Sequence, residues 1–178
     1  MTMDYKLFTG ALTTTECNEL IAFGKSQYPL LKEDQLYPNR GYPGFTLQNA
    51  KSVLEKLATF ITQAGFTESY DYSFGTGVNF INAQKGELIG QHIDKPLYEL
   101  DDNYKVKPGF ENRYCALTVI ACIGGKNNLV VDDDNIEVSA GDVIVLKGFT
   151  AHEMKPVVSD IFYLLSAFYC HDTRNDSR

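Results

Sequence analysis

The sequence predicts a mainly β protein with supporting helices, a double-stranded β-helix (jelly roll). Two observations predict it. From residue 70 onward, short runs rich in β-branched and aromatic residues recur between turn residues, eight of them by Tyr169. Ahead of them stand two segments with helical spacing, and runs of strands set apart from runs of helices imply a β structure with helices packed on one side. The chain has 178 residues, 44% of them hydrophobic, which supports one core without disulfide or metal staples. No repeat or low-complexity linker interrupts it, so a single domain is expected over 1–178: helical support to about residue 70, the jelly-roll core to about 170, and a polar tail at 171–178.

The elements follow in order. Thr13-Thr14-Thr15-Glu16 fits a capping box, with Thr13 as N-cap and Glu16 three residues on. Leu20, Ile21 and Phe23 supply the buried stripe of that helix up to Gly24. The Tyr/Pro/Gly-rich passage 37–44 reads as loop. A second helix begins near Asn49 or Ser52, buries Val53, Leu54, Leu57, Ile61 and Ala64, and stops at Gly65. Strands are expected at 78–83, 88–93, 114–123, 129–131, 135–138, 142–146, 153–157 and 162–169. Turns fall at Lys85-Gly86, Gly124-Gly125, Asp132–Asp134 and Ala140-Gly141. The acidic run Asp132–Asp134 lacks the alternating ligands, central glycine and closing Glu of a calcium loop and reads as a solvated hairpin tip.

Composition excludes several classes. No stretch approaches the roughly 20 apolar residues of a membrane helix. The first residues, Met1–Lys6, lack the apolar run of a secretion signal, so a cytoplasmic protein is expected. Net charge is −7, which disfavours non-specific nucleic-acid binding. Cys17, Cys115, Cys122 and Cys170 are scattered in apolar segments and read as buried free thiols. Nothing in the sequence fixes an oligomeric state.

The candidate chemistry lies in the histidines, of which there are three. His92 and Asp94 stand two apart in a strand-like run, and period two sends both side chains to one face. His152 follows a later strand and a turn containing Gly148. Two imidazoles and a carboxylate leave open positions on a metal, the donor set that suits Fe(II) and O₂. A lone His-x-Asp is more often an ordinary hydrogen-bonded pair; strand context and the downstream Asp142…His152 segment give it weight. His171 follows the last expected strand and reads as an exposed residue outside the site.

These residues resemble the Fe(II)/2-oxoglutarate-dependent dioxygenases, the prolyl 4-hydroxylase-like branch in particular. The resemblance runs through Asn79–Gly86 with His92-Ile-Asp94, the strand opened by Arg113, the Gly124-Gly125 hairpin, and Ala140–Leu146 with His152–Val157. It implies His92, Asp94 and His152 as the iron ligands and catalytic centre, with 2-oxoglutarate and O₂ as co-substrates. It further implies hydroxylation of a C–H bond coupled to decarboxylation of 2-oxoglutarate to succinate. Asp94 favours hydroxylation over halogenation, since halogenating relatives replace that carboxylate.

One departure stands out. The family places an Arg or Lys ten residues after the distal histidine to bind the far carboxylate of 2-oxoglutarate, and here that position is Phe162. A phenyl ring offers no donors to a carboxylate. Arg113 therefore has three readings: the carboxylate anchor, a substrate contact, or an ion pair with Glu111 or a neighbour of Asp94. Lys95, Lys147 and Lys155 are second choices, and Tyr163 and Thr118 are candidate hydrogen-bond donors to the co-substrate. Two alternatives follow from Phe162: an iron oxygenase that does not use 2-oxoglutarate, and a metal-binding jelly roll without turnover. The substrate expected by analogy is a peptidyl side chain, prolyl first, or a small molecule. The loop 37–44 and the insertion 95–111, with Tyr98, Tyr104, Lys105 and Lys107, flank the expected mouth.

Overall fold

The computed structural model describes residues 4–27, 44–71, 76–94 and 112–174. Its frame is a pair of antiparallel sheets. The larger holds six strands in the order β1 (Tyr5–Phe8), β8 (Val143–Lys147), β5 (Arg113–Gly124), β10 (Ile161–Asp172), β3 (Gly77–Gln84) and β2 (Gly44–Thr46). The smaller holds four: β4 (Ile89–His92), β9 (His152–Met154), β6 (Lys126–Val131) and β7 (Asp134–Ser139). Helices α1 (Thr14–Gln27) and α2 (Lys51–Ala64) complete the described elements. The arrangement is the expected jelly roll.

Alternation explains the layers. In β5, Leu117, Val119, Ala121 and Ile123 join one apolar cluster while Ile120 and Cys122 join the other. β10 splits likewise: Leu165, Ala167 and Tyr169 face the first cluster, Phe162 and Leu164 the second. The first cluster fills the space under the helices through Leu20, Leu54, Leu57 and Ile61. The second lies between the sheets, where Leu129, Val131 and Met154 come from the smaller one. Central strands covered on both sides thus read as near-continuous apolar runs, whereas strands with one wet face alternate.

The Thr13–Glu16 box forms reciprocally: the Thr13 amide donates to Glu16 Oε2 at 2.8 Å, and the Glu16 amide donates to Thr13 Oγ1 at 3.2 Å. Lys56 of α2 pairs with the same carboxylate and ties the two helices together. Gly65 closes α2 at φ 79°, its N–H donating to the Thr62 carbonyl. The hairpin between β6 and β7 turns on Asp132 (φ 51°) and Asp133 (φ 69°), the paired left-handed residues of a tight hairpin loop.

Three expectations need correction. Gly24 does not end α1; it is buried within it, and a Cβ there would lie 2.3 Å from the Phe80 ring. The opening third carries β1 and β2 besides its helices, because Tyr5–Phe8 pairs with β8 and Gly44–Thr46 with β3. The second helix does start where expected, at Lys51 between Asn49 and Ser52, with Ala50 as an N-cap that makes no side-chain hydrogen bond. The tail does not start at 171, because β10 pairs with β5 as far as Asp172 opposite Arg113. His171 is accordingly buried, its ring edge-on to Tyr114 at 5.7 Å, and it stands apart from the other two histidines in sequence and environment.

Candidate metal centre

β4 and β9 pair so that His92 stands directly opposite His152. Asp94 follows the end of β4, its amide donating to the Gly148 carbonyl at 2.9 Å. That turn requires glycine: a Cβ at position 148 would lie 2.0 Å from the Cys115 carbonyl oxygen. The Gly148 amide in turn donates to Ala116, so β5 carries the turn that carries Asp94.

The three side chains converge. Among the described residues, His92, Asp94 and His152 form a group whose ligand atoms all lie within 4.8 Å of one another. His92 Nε2 is 3.5 Å from Asp94 Oδ1, and His152 Nε2 is 3.4 Å from Asp94 Oδ2. Each ring is held from behind in the same way. His92 Nδ1 meets the Gly90 carbonyl at 2.7 Å, and His152 Nδ1 meets the Thr150 carbonyl at 3.0 Å. A carbonyl only accepts, so Nδ1 carries a proton in both rings and each Nε2 faces one space, where it can take a metal or a second proton. Thr118 Oγ1 donates to Asp94 Oδ2 at 2.6 Å and fixes the carboxylate.

The electrostatics suit a cation. Burial pushes Asp94 up, but the hydrogen bond from His92, the nearby His152 and the Thr118 hydroxyl outweigh it and hold the carboxyl below its usual range. Burial pushes His152 down, only partly offset by Asp94, which favours the neutral imidazole that a metal needs. His92 moves the other way, raised by its hydrogen bond to Asp94, so a metal at its Nε2 would displace a proton and leave both rings neutral. Two neutral nitrogens and an oriented carboxylate fit a divalent first-row metal with vacant positions.

The other candidates fall elsewhere. Arg113 Nε donates to Asp172 Oδ2 at 3.1 Å, an ion pair across the β5–β10 ladder; Glu111, its expected partner, lies outside the described residues. Tyr163 packs with the cluster under the helices, its ring 5.8 Å from Phe80 and beneath the Lys25 ammonium. It therefore lies on the opposite side of the sheet from Phe162 and Leu164. Thr118 is at the site, with its hydroxyl engaged by Asp94. Lys147 pairs with Asp4 and Glu68, and Lys155 with Glu153. Lys95, residues 37–43 and the insertion 95–111, including Tyr98, Tyr104, Lys105 and Lys107, lie outside the described residues.

Beside the histidines a cavity with about 410 Å³ of free space, part of it open to solvent, runs between the sheets. Ile81, Ile120, Leu129, Met154 and Leu164 line it together with both histidines. Sequence reasoning did not identify these residues as a site, because inward-facing aliphatics in strands carry the same pattern as plain core.

No family model and no curated protein matches the chain. Solved structures do. A viral collagen prolyl hydroxylase from Paramecium Bursaria Chlorella virus-1, in its 2-oxoglutarate complex, superposes with a TM-score of 0.67 at 14% identity over 94% of this chain and 96% of that one. An oxidoreductase of the 2-oxoglutarate-Fe(II) oxygenase family from Burkholderia pseudomallei gives 0.63 at 17% identity, over 95% and 85%. A Pseudomonas putida prolyl-4-hydroxylase gives 0.59 at 17%, over 93% and 92%. At these identities the likeness establishes the shared fold.

Proposed function

We propose that the chain is a single-domain, non-haem Fe(II)-dependent dioxygenase. In this reading it couples a 2-oxo acid and O₂ to hydroxylation of a C–H bond in a peptidyl side chain, prolyl first, or in a small molecule. The observation that carries it is the pair of Nε2 atoms and the Thr118-oriented Asp94 carboxylate facing one space at the mouth of an apolar cavity. 2-Oxoglutarate is the co-substrate of the resemblance and the molecule in the viral neighbour's complex.

Iron fits the residues present. His92, Asp94 and His152 would hold it, and once bound it would supply the oxygen-activating chemistry. The protein's own part is geometric and electrostatic. The Gly90 and Thr150 carbonyls lock the tautomers, as outer partners of metal-bound imidazoles do. Thr118 stops Asp94 from rotating. The aliphatic lining of the cavity keeps the space beside the histidines apolar. The far carboxylate of 2-oxoglutarate fits less well: the described residues lining the cavity include no lysine or arginine. That observation favours a second reading, an iron oxygenase fed by a different co-substrate.

No helix among the described residues is long and apolar enough to cross a membrane. The four free, buried cysteines support a reducing, cytoplasmic setting. The reading is tested by anaerobic Fe(II) titration with and without 2-oxo acids. A visible charge-transfer band that needs both components is the expected result. Failure to bind iron would leave only a jelly roll.

A further inference from the structure

The cavity beside the histidines has an uneven chemistry. Both histidines line it, and most of the remaining lining is hydrocarbon. Leu164, Ile81 and Ile120 close it from the larger sheet, and Leu129 and Met154 from the smaller. Phe162, the next residue on the same face of β10 beyond Leu164, is fully buried in the cluster behind them. Besides the histidines, the polar residues of the lining are Ser166 and Glu153. Ser166 has one hydroxyl proton to give, short of what the two oxygens of a carboxylate require. Glu153 is itself an anion, paired with Lys155.

Described cations that could answer a buried anion are committed elsewhere. Arg113 bonds Asp172 at the end of the β5–β10 ladder, Lys147 bonds Asp4 and Glu68, and Lys25 lies over Tyr163 on the helix side of the sheet. An acid held at the metal site by its keto-carboxylate head would have this lining beside its tail. A carboxylate tail there loses its water and, among the described lining residues, gains only the Ser166 hydroxyl. An aliphatic tail gains burial against five aliphatic side chains.

We infer that the preferred co-substrate is a 2-oxo monocarboxylic acid with a branched aliphatic tail, the kind that transamination of an aliphatic amino acid supplies. This rests on the proposed oxygenase function and names the chemistry of its second site. The net reaction balances as follows. The C1–C2 bond of the 2-oxo acid breaks and C1 leaves as CO₂. One atom of O₂ enters the carboxylic acid, one carbon shorter, that remains. The other enters the substrate C–H bond as hydroxyl. Two electrons from the 2-oxo acid and two from the C–H bond reduce the O₂.

The experiment is an anaerobic titration of the full chain loaded with Fe(II), reading the visible charge-transfer band against 4-methyl-2-oxopentanoate and against 2-oxoglutarate. The expected result is half-saturation at a concentration at least about tenfold lower for the branched acid, the scale set by desolvating an unpaired polar group. Leu164→Lys, which puts a cation in the lining, is expected to reverse that order. Should the variant fail to fold, the wild-type comparison alone decides. Equal or tighter binding of 2-oxoglutarate by the wild type overturns the inference and leaves the oxygenase reading intact. Absence of iron binding, or iron binding with no band from either acid, overturns both.

Discussion

Thr118 shows how much of the site is carried by a residue that does not face the metal. Its hydroxyl donates to Asp94 Oδ2 at 2.6 Å from a fully buried position. Thr118→Val keeps the shape and removes the donor, leaving the carboxylate free to rotate. Metal affinity is expected to fall about 10–100-fold, the usual cost of losing an outer partner, while Thr118→Ser restores most of it. Chelator competition measures both; equal affinities in all three proteins would remove Thr118 as a positioning residue. Glu16 gives a second residue-scale test. Hydrogen bonds from Lys56 and from Thr13 lower its carboxyl from about 4.5 to about 2. A depressed folded value means the stabilisation is complete above pH 4.5 and is lost as pH falls through about 2. In denaturant unfolding, the wild-type advantage over Glu16→Gln should be flat from pH 7 to 5 and vanish towards pH 2. An advantage that persists at pH 2 contradicts the assignment.

At the scale of elements, the turn between β8 and β9 joins fold to chemistry. Gly148 sits against the Cys115 carbonyl, and its own carbonyl receives the Asp94 amide. Gly148→Ala forces backbone apart, since a 2.0 Å contact with a carbonyl oxygen cannot be relieved by a rotamer change. The expected cost is about 1–3 kcal/mol in urea unfolding, accompanied by weaker metal binding. Gly90→Ala is the control: a Cβ there meets nothing within 4 Å, and its carbonyl remains available to His92. Its stability should stay within about 0.5 kcal/mol of wild type. The elements themselves were legible where pattern and punctuation agreed. The capping box, Gly65 and the eight later strands all carry local signals. β1 and β2 do not: four residues with a half-exposed pattern and three beside an undescribed segment gain strand character only from the neighbours they pair with. His171 was misread for the same reason, because what extends β10 is its pairing with β5, not the polarity of its sequence.

For the whole molecule, two apolar clusters on opposite faces of one sheet divide the roles. One fastens the helices and the other surrounds the cavity. Period two carries most of the site reasoning across this scale. It predicted that His92 and Asp94 share a face, and it also implies that Phe162 and Tyr163 cannot both point into the barrel. That second consequence was available in the sequence, and Tyr163 could have been set aside on it. Arg113 could not, because its Asp172 partner stands 59 residues away and only the ladder brings them together. The cavity was illegible for a further reason: an aliphatic residue facing empty space and one facing another side chain look alike in sequence.

The central claim is that three remote side chains hold one ion. Diffraction at the iron absorption edge, from crystals of the full chain grown anaerobically with Fe(II), tests it most directly. The account predicts one anomalous peak per chain, within bonding distance of both Nε2 atoms and an Asp94 oxygen. A peak bound elsewhere, or none while iron is present, would contradict it.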